Sequence, residues 1–457
     1  MKKAVEIVSF RTFYDYLSKK LRGVGMIAKT KEIANIRKLT VSLPTIRAVD
    51  PDYVYIGVTN ARCATADVYA KVGDKVKIGQ LLGMRHGPFF EQPIHSTVSG
   101  EIVGIVKKFH RSGKLVEFMQ IKNDKQDTFC DTAVERTPEE IAKLTREDFV
   151  RITKDCALVG LGGSSFPTYI KFQTKDPIDT IIINAVECEP YISADHRLVM
   201  EFPYRIYNGI KYAMQAFGAK RAIIGIKKKY EDLYDCLTVA KTRFPDLNCE
   251  IKRVGNYYPQ GWEIELIKNT VGIKVPSGVL PAKYGVMVFN VSTIVGLYKA
   301  IRYNIPVIKR NFTLTGDGIT IPQNYRVRLG MSLKELIDQS YGYKGDENKV
   351  LILGGPMMGA NLVRDDAVIT KTCTSCIILN EKKEVEEPCV RCASCVYSCP
   401  AGLQPVQIMN AVKNKDVDSL KNKLNINACI LCGMCSYTCT SKIHLTDYCR
   451  KAKRMVK

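Results

Sequence analysis

The sequence predicts a multidomain protein of mixed α/β and α+β class. Three observations predict it. Short β-branched apolar runs alternate with helical patterns through the middle of the chain, as in a parallel sheet covered by helices. On either side the pattern changes to short strands with period-two alternation and glycine turns. Finally, eleven of the seventeen cysteines follow residue 372. Eight of them repeat one spacing: Cys389-x2-Cys392-x2-Cys395-x3-Cys399 and Cys429-x2-Cys432-x2-Cys435-x3-Cys439. A chain of 457 residues has room for about three domains of roughly 150 residues each.

Residues 1–50 form a basic segment, with a helical pattern from Phe13 to Arg22. In residues 51–134, Val72 to Gly83 alternates apolar and polar positions around glycines and reads as a hairpin. A second element runs from Pro93 to Val103. The pair resembles the barrel-sandwich hybrid fold of lipoyl and biotinyl domains. No lysine sits between small or acidic neighbours at a hairpin tip, so the module is expected to be structural rather than a carrier.

Residues 135–310 are expected to form a Rossmann-like α/β domain. Thr180–Asn184 and Arg221–Ile226 are apolar and β-branched, residues 203–218 look helical between them, and Gly285–Val291 reads as a third strand. In residues 311–372, Phe312–Gly318 starts a small sheet, Ser332–Ile337 looks like a helix packed on it, and Val350–Pro356 returns as a strand and turn. This resembles a ligand-binding β-grasp unit. Residues 373–457 hold the cysteine repeat, with helical periodicity from Pro405 to Leu424 joining its two copies.

The repeated spacing is that of a two-cluster, ferredoxin-type 4Fe–4S module. Three cysteines on a tight loop reach three corners of one cubane. The fourth, followed in the first copy by Pro400, turns away and ligates the other cluster. Cluster one is therefore assigned to Cys389, Cys392, Cys395 and Cys439, and cluster two to Cys429, Cys432, Cys435 and Cys399. Ala393, Ser394 and Gly433 are small enough to let backbone N–H groups approach the sulfurs. Thr440 replaces the second proline and removes no ligand. The alternative, structural zinc, would normally use paired C-x2-C knuckles with no third cysteine in the run. Cys373-x2-Cys376 is open to three readings: a redox dithiol, an added metal site, or two thiols on a strand beside Ile377–Leu379, which the apolar flank favours. Cys63, Cys130, Cys156, Cys236, Cys249 and Cys449 have no spacing partner and are expected to be buried free thiols.

Composition bounds the setting. Mean hydropathy is near zero, and no run of 18 apolar residues occurs, so no spanning helix is expected. The residues after Met1 lack a long apolar stretch, so no secretory leader is expected. An odd cysteine count in so long a chain argues against a disulfide scaffold. The net charge of +22 suits an anionic membrane surface or an acidic protein. No helix-turn-helix, RNA-binding sheet or zinc-finger pattern points to nucleic acid.

Val159-Gly160-Leu161-Gly162-Gly163-Ser164-Ser165-Phe166-Pro167-Thr168 precedes Lys171. Such glycines let backbone N–H groups face the oxygens of a phosphate-bearing ligand, although the segment is not G-x-G-x-x-G. Asn184-Ala185-Val186-Glu187-Cys188-Glu189-Pro190-Tyr191 comes straight off a strand, and Asp195-His196-Arg197 follows. These motifs are similar to those of the flavin-bearing, NADH-oxidising subunit of respiratory complex I. The fuller match resembles the RnfC (RsxC) family, the NADH-side subunits of Rnf ion-translocating electron transport complexes. It extends over nearly the whole chain, through Lys71–Gly83, Tyr257–Gly261, Pro276–Pro281 and Gly354–Gly359.

The resemblance implies a site for FMN and NADH. Gly160, Gly162 and Gly163 would form the backbone cradle, and Lys171 would reach the FMN phosphate or ring. Asn184 and Glu187 would hydrogen-bond the flavin. Phe166 would offer a face to the adenine, and Glu189 would meet a ribose hydroxyl. Tyr258, Gly261 and Glu263 would line the cleft, with Asn290 beneath the flavin. The chain departs from the complex I pattern with Leu161 for arginine, Val186 for an acidic residue, Phe289-Asn290 for a pair of asparagines, and Trp262 beside Glu263.

Hydride transfer from NADH to a flavin needs no catalytic acid or base, so none is assigned. What the resemblance implies is an electron-transfer oxidoreductase subunit, peripheral on the cytoplasmic face of the membrane. Its partners would be membrane subunits and, through the complex, ferredoxin, with Arg450–Arg454 helping to dock. Two alternatives stay open: a microcompartment flavoprotein that reduces cobalamin, and a non-catalytic cluster scaffold.

Overall fold

The computed structural model describes residues 36–110, 113, 115–381 and 385–456. The helix read over Phe13–Arg22 lies outside the described residues. The middle of the chain forms a four-stranded, wholly parallel sheet in the order Cys249–Val254, Arg221–Lys227, Thr180–Asn184, Val286–Asn290. Thr180–Asn184 and Arg221–Lys227 are almost entirely buried because helices cover both faces. The largest core of the molecule lies here, where Pro203–Phe217 and Val291–Tyr303 pack Tyr207, Ile210, Ile294 and Leu297 against Ile181, Ile183 and Phe289. Gly209 lets the two helices touch, since a Cβ there would meet the Ile294 carbonyl at 2.5 Å.

The first described module is a sandwich of two antiparallel sheets around Val54, Ile56, Val76, Leu82, Ile94, Ile102 and Ile121. The hairpin expected over Val72–Gly83 does not form. Lys75–Val76 pairs with Gly100–Glu101 in one sheet, while Leu81–His86 pairs with Thr65–Val68 and Glu91–His95 in the other. The chain crosses between sheets at Gly79, whose φ of +84° turns it. Alternation identifies a strand's buried face but not its partner, and here the two strands share a core rather than a ladder.

The third sheet has six strands in the order Ile46–Arg47, Gln323–Arg328, Lys309–Thr315, Ser375–Asn380, Lys349–Leu353, Ala360–Leu362, with the helix Leu333–Gln339 packed on it. It draws its first strand from the amino-terminal segment. It takes its fourth from beyond residue 373, where the cysteine module was expected to begin, because Ser375–Asn380 pairs with strands on both sides.

The cysteine module is a pair of matching loop-and-helix units. Arg391 and Leu431 both have φ of 54°, Ala393 and Gly433 also adopt left-handed backbone, and the short helices Ser394–Tyr397 and Met434–Tyr437 follow. The joining segment is helical over Pro405–Lys413 and breaks at Lys415, φ +55°. The helix Leu445–Met455 closes the module.

Candidate flavin and iron–sulfur site

In a parallel sheet a ligand is expected outside the carboxyl ends of the strands, where the strand order reverses. Here that point lies between Thr180–Asn184 and Val286–Asn290, and the register sets Asn184 beside Asn290. The sequence-selected residues gather around this pair. Asn184 Nδ2 donates to the Gly261 carbonyl at 2.9 Å. A Cβ on Gly162 would lie 2.9 Å from Asn290 Cγ, so the glycine is what allows the loop to lie on the strand end. Gly163 has φ of +106° and Ser165 of +56°. Lys171 is partly buried beside the same strand, where Nζ donates to the Val288 carbonyl at 2.6 Å and lies 5.0 Å from the Phe289 ring centre. Burial lowers its pKa, and the charge of Glu263 opposes that shift.

Glu187, at φ +39°, folds back so that its carboxylate accepts from the backbone N–H groups of Asp195 (2.8 Å) and His196 (3.1 Å) at the start of the helix Ala194–Glu201. Burial raises its pKa, against the opposing charge of Arg37 at 3.6 Å. Asp195 accepts from Asn290 Nδ2 at 2.7 Å and from the Ser292 hydroxyl. Phe166 lies under the Arg62 guanidinium at 6.0 Å, and Arg62 also donates to the Ser164 carbonyl. The glycine-rich loop borders a cleft of about 1240 Å³ between the modules, with Arg62, Arg85, Lys371, Lys442 and Arg450 among its lining residues.

Glu189 is half-buried, and its carboxylate accepts from Met357 N at 3.0 Å. A Cβ on Gly355 would clash with that carboxylate at 2.2 Å, so the glycine makes room for it. The other oxygen, Oε1, is buried without a hydrogen-bond partner, a setting in which a ligand hydroxyl is a favourable donor. Burial raises the Glu189 pKa to about 7.

The apolar departures from the complex I pattern are part of the core. Leu161 and Val186 are buried. The Leu161 backbone N–H is fixed by the Thr293 hydroxyl at 2.9 Å. Trp262 immediately precedes the helix Glu263–Val271.

In the cysteine module, Cys399, Cys429, Cys432 and Cys435 line one small pocket, so the fourth cysteine of the first copy meets three of the second. Backbone N–H groups point at these sulfurs, Leu403 to Cys399 at 3.3 Å and Leu431 to Cys429 at 3.5 Å. Cys395 and Cys439 share a buried cluster with Met409, Ile443 and Leu445. Cys389 and Cys392 are exposed. Among the described residues no three His, Cys, Asp or Glu side chains close on one point as around a single metal ion.

The two sites meet. The Tyr258 hydroxyl donates to the Cys432 carbonyl at 2.8 Å. Tyr258, Cys432 and Met434 form one apolar knot with Cys188 and Met357 against it. A Cβ on Gly433 would fall 2.7 Å from the Met357 carbonyl. The loop carrying Cys429, Cys432 and Cys435 thus rests on loops around the candidate flavin site.

Sequence reasoning missed Arg37, which is buried, donates to the Tyr230 hydroxyl at 2.6 Å and faces Glu187. It also missed Cys449, which lines the cluster-two pocket. Neither carries a local signal, since Arg37 reaches partners more than 150 residues away and Cys449 lies outside the repeat. Lys453, grouped with the basic docking residues, turns inward to the Asn427 and Cys429 carbonyls at 3.1 and 2.6 Å. Cys373 and Cys376 are buried at the edge of and within the strand Ser375–Asn380, and burial pushes the Cys376 thiol far up.

Three family models match along the chain: the RnfC barrel sandwich hybrid domain over residues 30–126, the Nuo51 FMN-binding domain over 153–299, and a 4Fe-4S dicluster domain over 388–444. The chain is 33% identical over 377 residues to component C of the Na(+)-translocating ferredoxin:NAD(+) oxidoreductase complex of Acetobacterium woodii, covering 81% of this chain and 84% of that one. It is 31% identical to the proton-translocating counterpart of Clostridium ljungdahlii, covering 83% of each. It is 34% identical to component C of the ion-translocating oxidoreductase complex of Vibrio cholerae, covering 82% of this chain but 48% of that relative. A crystal structure of an NAD+-reducing [NiFe]-hydrogenase shares the fold at 18% identity, with a TM-score of 0.50 over 68% of this chain and 63% of the other. The chain therefore carries an FMN-binding domain and a 4Fe–4S dicluster domain.

Proposed function

The chain belongs to the RnfC family of ion-translocating ferredoxin:NAD oxidoreductase complexes, and on that premise we propose that it passes electrons between NADH and ferredoxin within such a complex. When bound, FMN would supply two-electron exchange with a nicotinamide and one-electron exchange with the clusters, chemistry that belongs to the cofactors. The chain's residues place and tune them. Gly160, Gly162 and Gly163 present backbone to the flavin, with Asn184, Glu187 and Asn290 at the strand ends. Lys171, Tyr258, Gly261 and Glu263 complete the surround. Phe166 and Glu189 Oε1 serve the nucleotide. Cys399, Cys429, Cys432 and Cys435 hold the cluster next to the flavin domain. Cys389, Cys392, Cys395 and Cys439 hold the outer one.

The observation that carries this reading is the contact of Tyr258 with Cys432. It ties the flavin-domain cleft to a cluster-binding loop through one hydrogen bond and so holds the two close together. The exposed Cys389 and Cys392 put cluster one on the side from which a protein partner is reached. No described helix is long and apolar enough to cross a membrane. In this reading the chain sits on the cytoplasmic face beside membrane subunits that form the ion path, and its net charge of +22 favours an anionic surface.

Anaerobic purification with iron, sulfide and flavin counted per chain tests the cofactor set. About eight irons and one FMN are expected. Tightly bound zinc in place of iron would overturn the reading, and copurification with membrane subunits tests the assembly.

A further inference from the structure

The helix Leu445–Met455 lies outside both copies of the cysteine spacing, yet one face of it addresses cluster two. Thr446, Cys449 and Lys453 follow one another at intervals of three and four residues, which places them on one side of a helix. Thr446 Oγ1 lies 3.5 Å from Cys435 Sγ. The Ser436 hydroxyl lies 2.8 Å from Thr446 Oγ1, and its oxygen accepts from Thr446 N at 2.9 Å. Ser436 can therefore donate its proton to Thr446, and Thr446 can donate its own to the sulfur. Cys449 is buried, and Cys429 packs against it. It lines the same pocket as the four assigned ligands. Lys453 Nζ donates to the Cys429 carbonyl at 2.6 Å. On the cluster-one side, Cys389 and Cys392 are exposed, and the hydroxyl contacts of Cys392 come from Ser394 at the start of a short helix (3.4 Å) and Thr440 in a turn (3.7 Å).

We propose that the Thr446–Cys449–Lys453 face raises the reduction potential of cluster two, with the Thr446 hydroxyl donating to Cys435 Sγ and Cys449 presenting its S–H to the pocket that the ligand sulfurs line. The inference rests on the cluster-two assignment above. Reduction adds negative charge to a cluster. Donors on its sulfurs and a nearby ammonium stabilise that charge, and hydrogen bonding and net charge are among the factors that set cluster potentials. Cys449 is a positioning residue, because four other thiolates already supply the four corners.

The test is an EPR-monitored redox titration of the anaerobically purified full chain, with iron counted, for wild type, Cys449→Ala, Cys449→Ser and Thr446→Val. Cys449→Ala is expected to keep its iron and to lower the midpoint of one cluster, the one missing in Cys399→Ala. Cys449→Ser retains a hydroxyl donor and is expected to recover part of the shift. Thr446→Val is expected to lower the same cluster, and it keeps the question open to measurement if Cys449→Ala folds poorly. Unchanged potentials in the Cys449 and Thr446 variants overturn the proposal. So does an equal shift of both clusters. Loss of about half the iron in Cys449→Ala also overturns it, by making Cys449 a ligand. Absence of two cubane signals in the wild type defeats the cluster assignment itself, and that failure is recognised before any variant is compared.

Discussion

Arg328 joins two modules through two carboxylates and a carbonyl. It is buried and donates to both oxygens of Asp50 at 3.0 and 2.8 Å, to Asp127 at 2.6 Å, and to the Thr97 carbonyl at 2.8 Å. Removing the buried Arg328 leaves Asp50 only Arg47 and Lys309 for compensation. Arg328→Ala is therefore expected to cost about 3–5 kcal/mol in chemical denaturation. Burial would raise the Asp50 carboxyl, but the hydrogen bonds of Arg328 and Arg47 and the charges of Arg328 and Lys309 outweigh it, holding the pKa well below the usual range. A lowered folded-state pKa stabilises the fold above the ordinary aspartate value, and the stabilisation is lost as the pH falls through the lowered one. Asp50→Asn should be less stable than wild type at neutral pH. The gap should narrow as the pH drops below about 4; a constant gap would contradict this. Tyr258→Phe should cost about 1 kcal/mol and slow cluster reduction by NADH more than flavin reduction. Single residues were legible where chemistry fixes spacing, as for the eight cysteines. Tyr258 was legible as a cleft residue, but its partner Cys432 lies 174 positions away, a relation no local pattern carries.

Elements were legible in proportion to their burial. Thr180–Asn184 and Arg221–Lys227 announce themselves because both faces are covered, so their runs are continuously apolar. Cys249–Val254 sits at the sheet edge with charged residues between its apolar ones, and Ile46–Arg47 is two residues long, so neither forms a continuous apolar run. Ser375–Asn380 belongs to a sheet whose other strands come earlier in the chain, and proximity to the cysteines concealed that membership. The candidate site itself was legible as motifs, but the meeting of Asn184 and Asn290 needs the register of two strands a hundred residues apart. Gly162 is the element-level test. An added Cβ would press on Asn290 at 2.9 Å, so Gly162→Ala should keep the iron and lose most of its flavin. Full flavin occupancy in that variant would remove the loop from the site.

The molecule as a whole is an ordered set of modules that converge on one junction. Module order could be read from the chain, because each module has its own period and composition. The convergence of Glu189, Met357, Tyr258 and Gly433 could not, since it joins three modules through side chains and close backbone approaches. It is this junction that turns a flavin domain and a ferredoxin-like tail into one electron path. The most direct test is anaerobic titration of the purified chain with NADH, following flavin absorbance and cluster EPR together. The account predicts that the flavin bleaches and that cubane signals attributable to the clusters appear in the same titration. A flavin that bleaches while both clusters stay oxidised, even though dithionite can reduce them, would contradict it.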